Sequence, residues 1–367
     1  MNKMVVANLV HRPVRSLISI TAIALEVTLI LLIVALSFGM LNGSKESQLG
    51  VGADVMVQPP SSSALIGVTG APVPVKVGDV LRRLPHVKFA APVIWELVTK
   101  PTLEIIYGID YSSYNSISPS FRFLSGGLFE GPYDVIVDDF FAGMKHVKVG
   151  DQVEILNHQF RISGIVAHGK GARKFLPLTT MQELIGAEGR CSVFYIKLDD
   201  PGNADAVVDE IKQVPGMRDY AVRSMAEYLS MMTASNLPGF EAFIGVVVGV
   251  SMIIGFLVIF QSMYTAVMER TREIGILKSL GASKFYIVNV ILRETVLLAI
   301  LGIALGVLIS FVTRQVILYE RPVLRLFWSH DWVIRATVIA IVGALAGSLY
   351  PAYQAAQKDP IEALAYE

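Results

Sequence analysis

Few residues in this chain are placed for bond-making chemistry. Gly164-Ile165-Val166-Ala167-His168-Gly169-Lys170-Gly171 has nearly the glycine and lysine spacing of a phosphate-cradling loop. Such a loop needs Ser or Thr after the lysine to hold magnesium, and a helix whose amide end receives the phosphate. Gly171 stands in that place, and Gly171-Ala172-Arg173-Lys174-Phe175-Leu176-Pro177 is a poor helix start. The stretch reads as a glycine-rich loop after a hairpin. No G-x-S-x-G elbow, H-E-x-x-H pair or C-x-x-C pair occurs. His11, His86, His146, His158, His168 and His330 are scattered, and the single cysteine, Cys191, has no internal disulfide partner. No catalytic, cofactor-binding or metal-ligating residue is assigned.

The other chemistry on offer is ionic contact. Between two apolar runs lies Glu269-Arg270-Thr271-Arg272-Glu273-Ile274-Gly275-Ile276-Leu277-Lys278-Ser279-Leu280-Gly281-Ala282-Ser283. Ile274, Leu277, Leu280 and Phe285 suggest a helix lying on the membrane, and Gly281-Ala282-Ser283 breaks it and starts the next helix. On spacing alone two readings stand: a charged helix that receives a push from a partner, or an ordinary amphipathic linker. Glu26 is the other candidate, near the middle of the first apolar run. An isolated charge there costs roughly 2.5–3.5 kcal/mol, so it must face protein or be protonated. It is either a contact that changes during a conformational cycle or a hydrogen bond to a neighbouring helix.

These residues sit among membrane spans. The chain is 53% hydrophobic and 17% charged, against about 25% charged in soluble domains, and its mean hydropathy is +0.56. Zero net charge gives nucleic-acid binding no electrostatic support. A span needs about 20 mostly apolar residues, and Leu17–Met40, Ala242–Met268, Thr295–Thr313 and Ala336–Tyr353 qualify. The first is longer than a signal-peptide core and lacks a clear cleavage site. Gly245/Gly249, Gly302/Gly306/Ser310 and Gly343/Gly347 are spaced for close helix approach.

Lys and Arg in the flanks set the orientation. Lys3, Arg12 and Arg15 precede the first span, Arg270, Arg272, Lys278 and Lys284 follow the second, and Lys358 follows the fourth. Arg314, Arg321 and Arg325 dissent. The expectation is that both termini are cytoplasmic. The expected division is 1–16 as a cytoplasmic amphipathic leading helix, then spans 17–40, 240–268, 290–313 and 332–353. Segments 41–239 and 314–331 lie outside, and 269–289 and 354–367 lie in the cytoplasm.

The outside segment reads as mixed α/β. Val73-Pro74-Val75, Val135-Ile136-Val137 and Val193–Leu198 look like strands, and 150–166 like a hairpin turning at Asn157-His158. Asp79–Val87 and Asp209–Met217 share a helix–proline–strand plan. They suggest two related α/β halves with a β-rich insertion around 109–184.

The charged segment also carries a family pattern. Arg270, Glu273, Ile274, Gly275, Ile276, Leu277, Lys278, Leu280, Gly281 and Ala282 match R-x-x-E-I-G-[IV]-L-[RK]-x-[LI]-G-A. The tail Tyr350-Pro351-Ala352-Tyr353-Gln354-Ala355-Ala356-Gln357-Lys358-Asp359-Pro360-Ile361-Glu362-Ala363-Leu364 is similar to a second hallmark, P-A-x-x-A-A-x-x-D-P-I-E-A-L. Asn8–Ser16 resembles the leading amphipathic helix. Together these resemble the FtsX/MacB-like permease family, including its LolC-like members, closely over the membrane part and in outline over the outside domain. Gln354 and Ala365 depart from basic residues common there.

The resemblance implies a membrane α-helical protein of four spans, with a porter-like α/β extracytoplasmic domain between the first two. It implies the permease subunit of a MacB-like ABC transporter in a bacterial inner membrane, paired with a second permease, identical or not. ATP and magnesium would be held by separate ATPase subunits, since this chain begins almost directly with a span; the chain itself would not be an enzyme. ATP-driven motion would be relayed outward for export or extraction of a lipoprotein, lipid, peptide or small molecule. A periplasmic adaptor with an outer-membrane channel, or a lipoprotein, would join. Arg270, Arg272, Glu273, Gly275, Leu277, Lys278, Gly281 and Ala282 would couple to the ATPase. The competing readings are an FtsX-like subunit that activates a cell-wall hydrolase, a membrane-tethered enzyme, and a receptor or scaffold without a motor.

Overall fold

Runs of apolar residues longer than a bilayer requires form the long helices, and the alternating stretches between the first two form a sheet. The protein is described by a computed structural model over residues 13–60, 62, 72–98, 104–117, 121–320 and 324–359. In chain order, α1 (Pro13–Leu49) precedes β1 (Val55–Gln58), β2 (Val73–Pro74), α2 (Val77–Leu81), β3 (Val87–Val98) and β4 (Glu104–Ile109). There follow α3 (Tyr111–Ile117), β5 (Phe123–Gly126), β6 (Asp134–Asp138), α4 (Asp139–Lys145), β7 (Gln152–Ile155), β8 (His158–Val166) and β9 (Lys174–Pro177). Then come α5 (Leu178–Leu184), β10 (Arg190–Cys191), β11 (Val193–Leu198), α6 (Ala204–Gln213), β12 (Ala221–Ser224) and α7 (Met225–Met231). The chain closes with α8 (Phe240–Glu269), α9 (Thr271–Ser279), α10 (Lys284–Glu320) and α11 (His330–Gln357). Two compact units result: Met1–Gly39 with Gly239–Glu367, and Met40–Pro238.

In the first unit α1, α8, α10 and α11 are each long and apolar enough to cross a membrane, four such helices among the described residues. Helices α1 and α8 run antiparallel. Ser19 bonds Ser262 at 2.6 Å, and two turns further along α1 Glu26 faces Gly255, two turns back along α8. Gly302 and Gly306 of α10 lie so close to Ile23, Ala24 and Val27 that a side chain would collide, and Thr28 Oγ1 donates to the Gly306 carbonyl at 3.0 Å. Gly347 of α11 sits equally close to the α8 backbone at Phe256 and Phe260. Gly245 and Gly249 do not pack against the described residues of their own chain: a Cβ on either meets nothing within 4 Å. Within the expected outer loop 314–331, α10 continues to Glu320 and α11 begins at His330. Residues 1–12, 321–323 and 360–367, with most of the leading helix, Arg321 and the end of the tail motif, lie outside the described residues.

In the second unit one mixed sheet runs β12-β1-β11-β3-β4-β9-β6-β8-β5, with β7 paired to β8. The first four strands, all antiparallel neighbours, hold two β-α-β units, β1-α2-β3 and β11-α6-β12. Their spatial order is that of a split β-α-β fold. The two helix–proline–strand stretches therefore take equivalent places, and Leu81 of α2 and Val207 and Ile211 of α6 share one apolar core. The β-rich stretch extends the same sheet through β4 and β9, paired in parallel. The hairpin turn is corrected by one residue. Ile155 pairs His158, leaving Leu156 and Asn157 as a two-residue turn with φ of 50° and 63°, the backbone such a tight hairpin requires.

Candidate functional site

The glycine-rich stretch is a connection between strands, as its pattern suggests. It links β8 to β9, strand to strand, and the next helix starts only at Leu178. No group of three or more His, Cys, Asp or Glu residues stands close enough to hold a metal among the described residues.

The charged segment is built as a bracket between α8 and α10. Helix α9 carries Glu273 in its first turn and Lys278 in its last, matching the helix dipole. Its end is a Schellman motif. The Ala282 N–H donates to the Leu277 carbonyl and the Gly281 N–H to the Lys278 carbonyl, both at 3.0 Å. Gly281 has φ of 93°, where any side chain would be strained. Ser283 then caps α10, its Oγ accepting from the Tyr286 N–H at 3.2 Å. Gly281, Ala282 and Ser283 thus stop one helix and start the next through backbone geometry and a side-chain cap.

The segment has two faces. Inward, Ile274 and Gly275 are buried and Leu277 is half-buried. Lys278 Nζ donates to the Ala356 carbonyl at 3.0 Å and to the Lys358 carbonyl, satisfying orphan acceptors at the end of α11. Pro351, Ala352, Ala355 and Ala356 of the tail motif are its buried face. Arg270 Nη1 donates to Glu294 Oε2 at 3.0 Å, and Arg15 Nη2 to Glu294 Oε1 at 3.1 Å. Arg15 Nη1 also lies 3.6 Å from Glu269 Oε2. Val267, Arg270, Ile274, Leu277, Ile291 and Glu294 line a cavity of about 50 Å³. Outward, Arg272, Glu273 and Ser279 are exposed, with Leu280 and Phe285 at 79% and 78%.

Of the candidate coupling residues, only Arg272 and Glu273 are exposed charges. Arg270 and Lys278 are turned inward and hold the bracket. Glu26 stands apart in α1, buried against Gly255, its Oε1 without a hydrogen-bond partner among the described residues. Arg15 enters the pattern reading only as a flank charge, and Glu294 is given no role. Their only signal is a charge at the edge of an apolar run.

Residues 16–214 match the MacB-like periplasmic core domain and residues 245–360 the FtsX-like permease C-terminal region. The chain is 26% identical over 234 residues to an ABC transporter permease of Methanocaldococcus jannaschii, covering 60% of this chain and 58% of that one. It is 28% identical over 233 residues to the macrolide export ATP-binding/permease protein MacB of an Azoarcus species, covering 60% and 35%. It is 29% identical over 230 residues to the ABC transporter permease YknZ of Bacillus subtilis, covering 59% and 55%. The chain therefore spans less than two thirds of the length of these relatives. The solved periplasmic region of MacB from Actinobacillus actinomycetemcomitans aligns with a TM-score of 0.39 and 15% identity, over 50% of this chain and 94% of that one.

Proposed function

Because the chain belongs to the family of ABC transporter permeases with a MacB-like periplasmic core domain and an FtsX-like C-terminal region, we propose that it relays the motion of a separate ATPase to its outer domain. The observation that carries this reading is the two-faced bracket. One face of the charged segment is tied to α10 and α11, and the other leaves Arg272 and Glu273 of α9, Leu280 at its end and Phe285 at the start of α10 for a partner.

In this reading the bracket faces the cytoplasm of an inner membrane, with both termini on that side. The partner ATPase holds ATP and magnesium. A push on the exposed face moves α9 as a unit, because its inward bonds resist rotation. A second permease completes the assembly, and an adaptor with an outer-membrane channel, or a lipoprotein, meets the outer domain. The work done there is export or extraction of a lipoprotein, lipid, peptide or small molecule.

The test is purification of the full chain from its host membrane with identification of what accompanies it, followed by ATP hydrolysis in lipid. A stoichiometric P-loop ATPase is expected, and Glu273→Lys should abolish its stimulation while leaving expression unchanged. A receptor or scaffold predicts no ATPase. Normal stimulation in Glu273→Lys would remove the coupling assignment.

A further inference from the structure

One buried carboxylate gathers the base of the bundle. Glu294 belongs to α10, and its side chain is 4% exposed. Its two oxygens are divided. Oε1 accepts from Arg15, at the start of α1, and Oε2 from Arg270, at the joint between α8 and α9. Three of the four long helices therefore meet at one side chain, at the point where α9 leaves the bundle. Two guanidiniums on one carboxylate leave an excess positive charge, and Glu269 beside Arg15 offsets it.

The physical character of this knot matters more than its strength. A buried ion pair is a weak argument for stability, since apolar replacements often do as well. A guanidinium fork is directional, however, whereas apolar packing lets a helix slide or rotate. Removing the carboxylate also takes from Arg270 and Arg15 the buried partner that they share. A displacement of α9 drags Arg270, and Arg270 either carries Glu294 and Arg15 with it or breaks the pairs. Arg15 begins α1, which runs without interruption from Pro13 to Leu49 and contributes residues to both units.

We propose that Glu294 is the positioning residue of the coupling step, clamping Arg270 of the bracket to Arg15 so that motion at α9 enters α1. The proposal rests on the coupling reading above. It assigns the relay to the shared carboxylate rather than to the general packing of the bundle.

The experiment uses the full chain in lipid nanodiscs with its co-purifying ATPase. Spin labels are placed on cysteines introduced as Ser279→Cys in α9 and Val14→Cys in α1, both exposed positions. Native Cys191 is buried, with its thiol pushed up to about 12 by that burial, so it stays unlabelled. In Glu294→Gln the distance distribution between the labels should at least double in width. ATPase stimulation should fall roughly tenfold or more, as misplacement of a working group does, while the ATPase still co-purifies. Glu294→Asp, which keeps the carboxylate, should recover most of both. An unchanged width in Glu294→Gln overturns the clamp, and so does a Glu294→Asp variant no better than Glu294→Gln. Should Glu294→Gln fail to insert, Arg270→Lys keeps the charge and loses the fork. Broadening there supports the proposal, and an unbroadened distribution overturns it. Wild-type chain without any ATPase would defeat the coupling reading, and the label widths would still decide the clamp by themselves.

Discussion

In the outer unit, Lys174 meets Glu104 one to one, with Nζ 2.5 Å from Oε1 and 4.4 Å from the centre of the Phe141 ring. In the membrane unit, Glu294 is shared between Arg15 and Arg270. The surroundings differ as much as the charges. The outer core is filled by large side chains, with Tyr107, Tyr114, Phe160 and Phe175 fully buried. The helices of the membrane unit touch through Ala24, Gly302, Gly306 and Gly347. Water drives the first arrangement, because burying aromatic area removes it from solvent. Lipid cannot drive the second in that way, since its chains are as apolar as leucine. Close approach and polar contact have to hold such helices together.

The comparison sharpens into measurements. The largest effect is expected from Phe175→Ala, whose ring packs edge-on against Phe121 and Tyr107. It should destabilise the outer unit by about 3–5 kcal/mol, seen as lost hydrogen-exchange protection in β4, β6 and β9. Equal loss in α10 and α11 would break the contrast between the units.

Next comes Asp138, 2% exposed, which accepts from the Phe141 N–H at 2.6 Å. Burial pushes its carboxyl up to about 6. A folded pKa above the unfolded one contributes stability below about pH 4, and that contribution is lost as pH rises through about 6. Asp138→Asn keeps the cap and removes the titration. It should gain up to about 3 kcal/mol near pH 8 and nothing near pH 4, measured by unfolding at the two values. A gain independent of pH would show that the carboxylate is not strained by burial.

A smaller effect, about 1–3 kcal/mol, is expected from Gly306→Leu, which drives a side chain into Val27 and the Ala24 carbonyl. Gly245→Leu meets open space and should stay within about 0.5 kcal/mol. Thermal unfolding of both variants in nanodiscs checks this pair. Equal losses would mean that both glycine pairs are packing surfaces.

Local pattern carried far in this chain. Apolar run length revealed α1, α8, α10 and α11, because a helix in lipid must satisfy its own backbone and be apolar along its length. Gly281 and Ser283 announced a helix stop and start through their own backbone and side-chain chemistry. Alternation located β7 and β8, although the turn itself was placed one residue late, since Leu156 does not look like a residue with positive φ. The glycine pairs show the limit. Gly245/Gly249 and Gly302/Gly306 are identical as spacing, yet among the described residues of this chain only the second pair meets a neighbour.

The charged bracket divides in the same manner. Sequence alone determined that a short charged helix joins two spans, where it ends, and which family it belongs to, because those properties depend on residues within a few positions of one another. Only the tertiary structure decided which charges face inward. Arg15 and Glu294 are 279 positions apart, and Lys278 reaches carbonyls 78 and 80 positions away. No periodicity encodes such meetings. They follow from how four helices pack, and a charge in a bilayer-facing bundle settles on whichever partner that packing brings within reach.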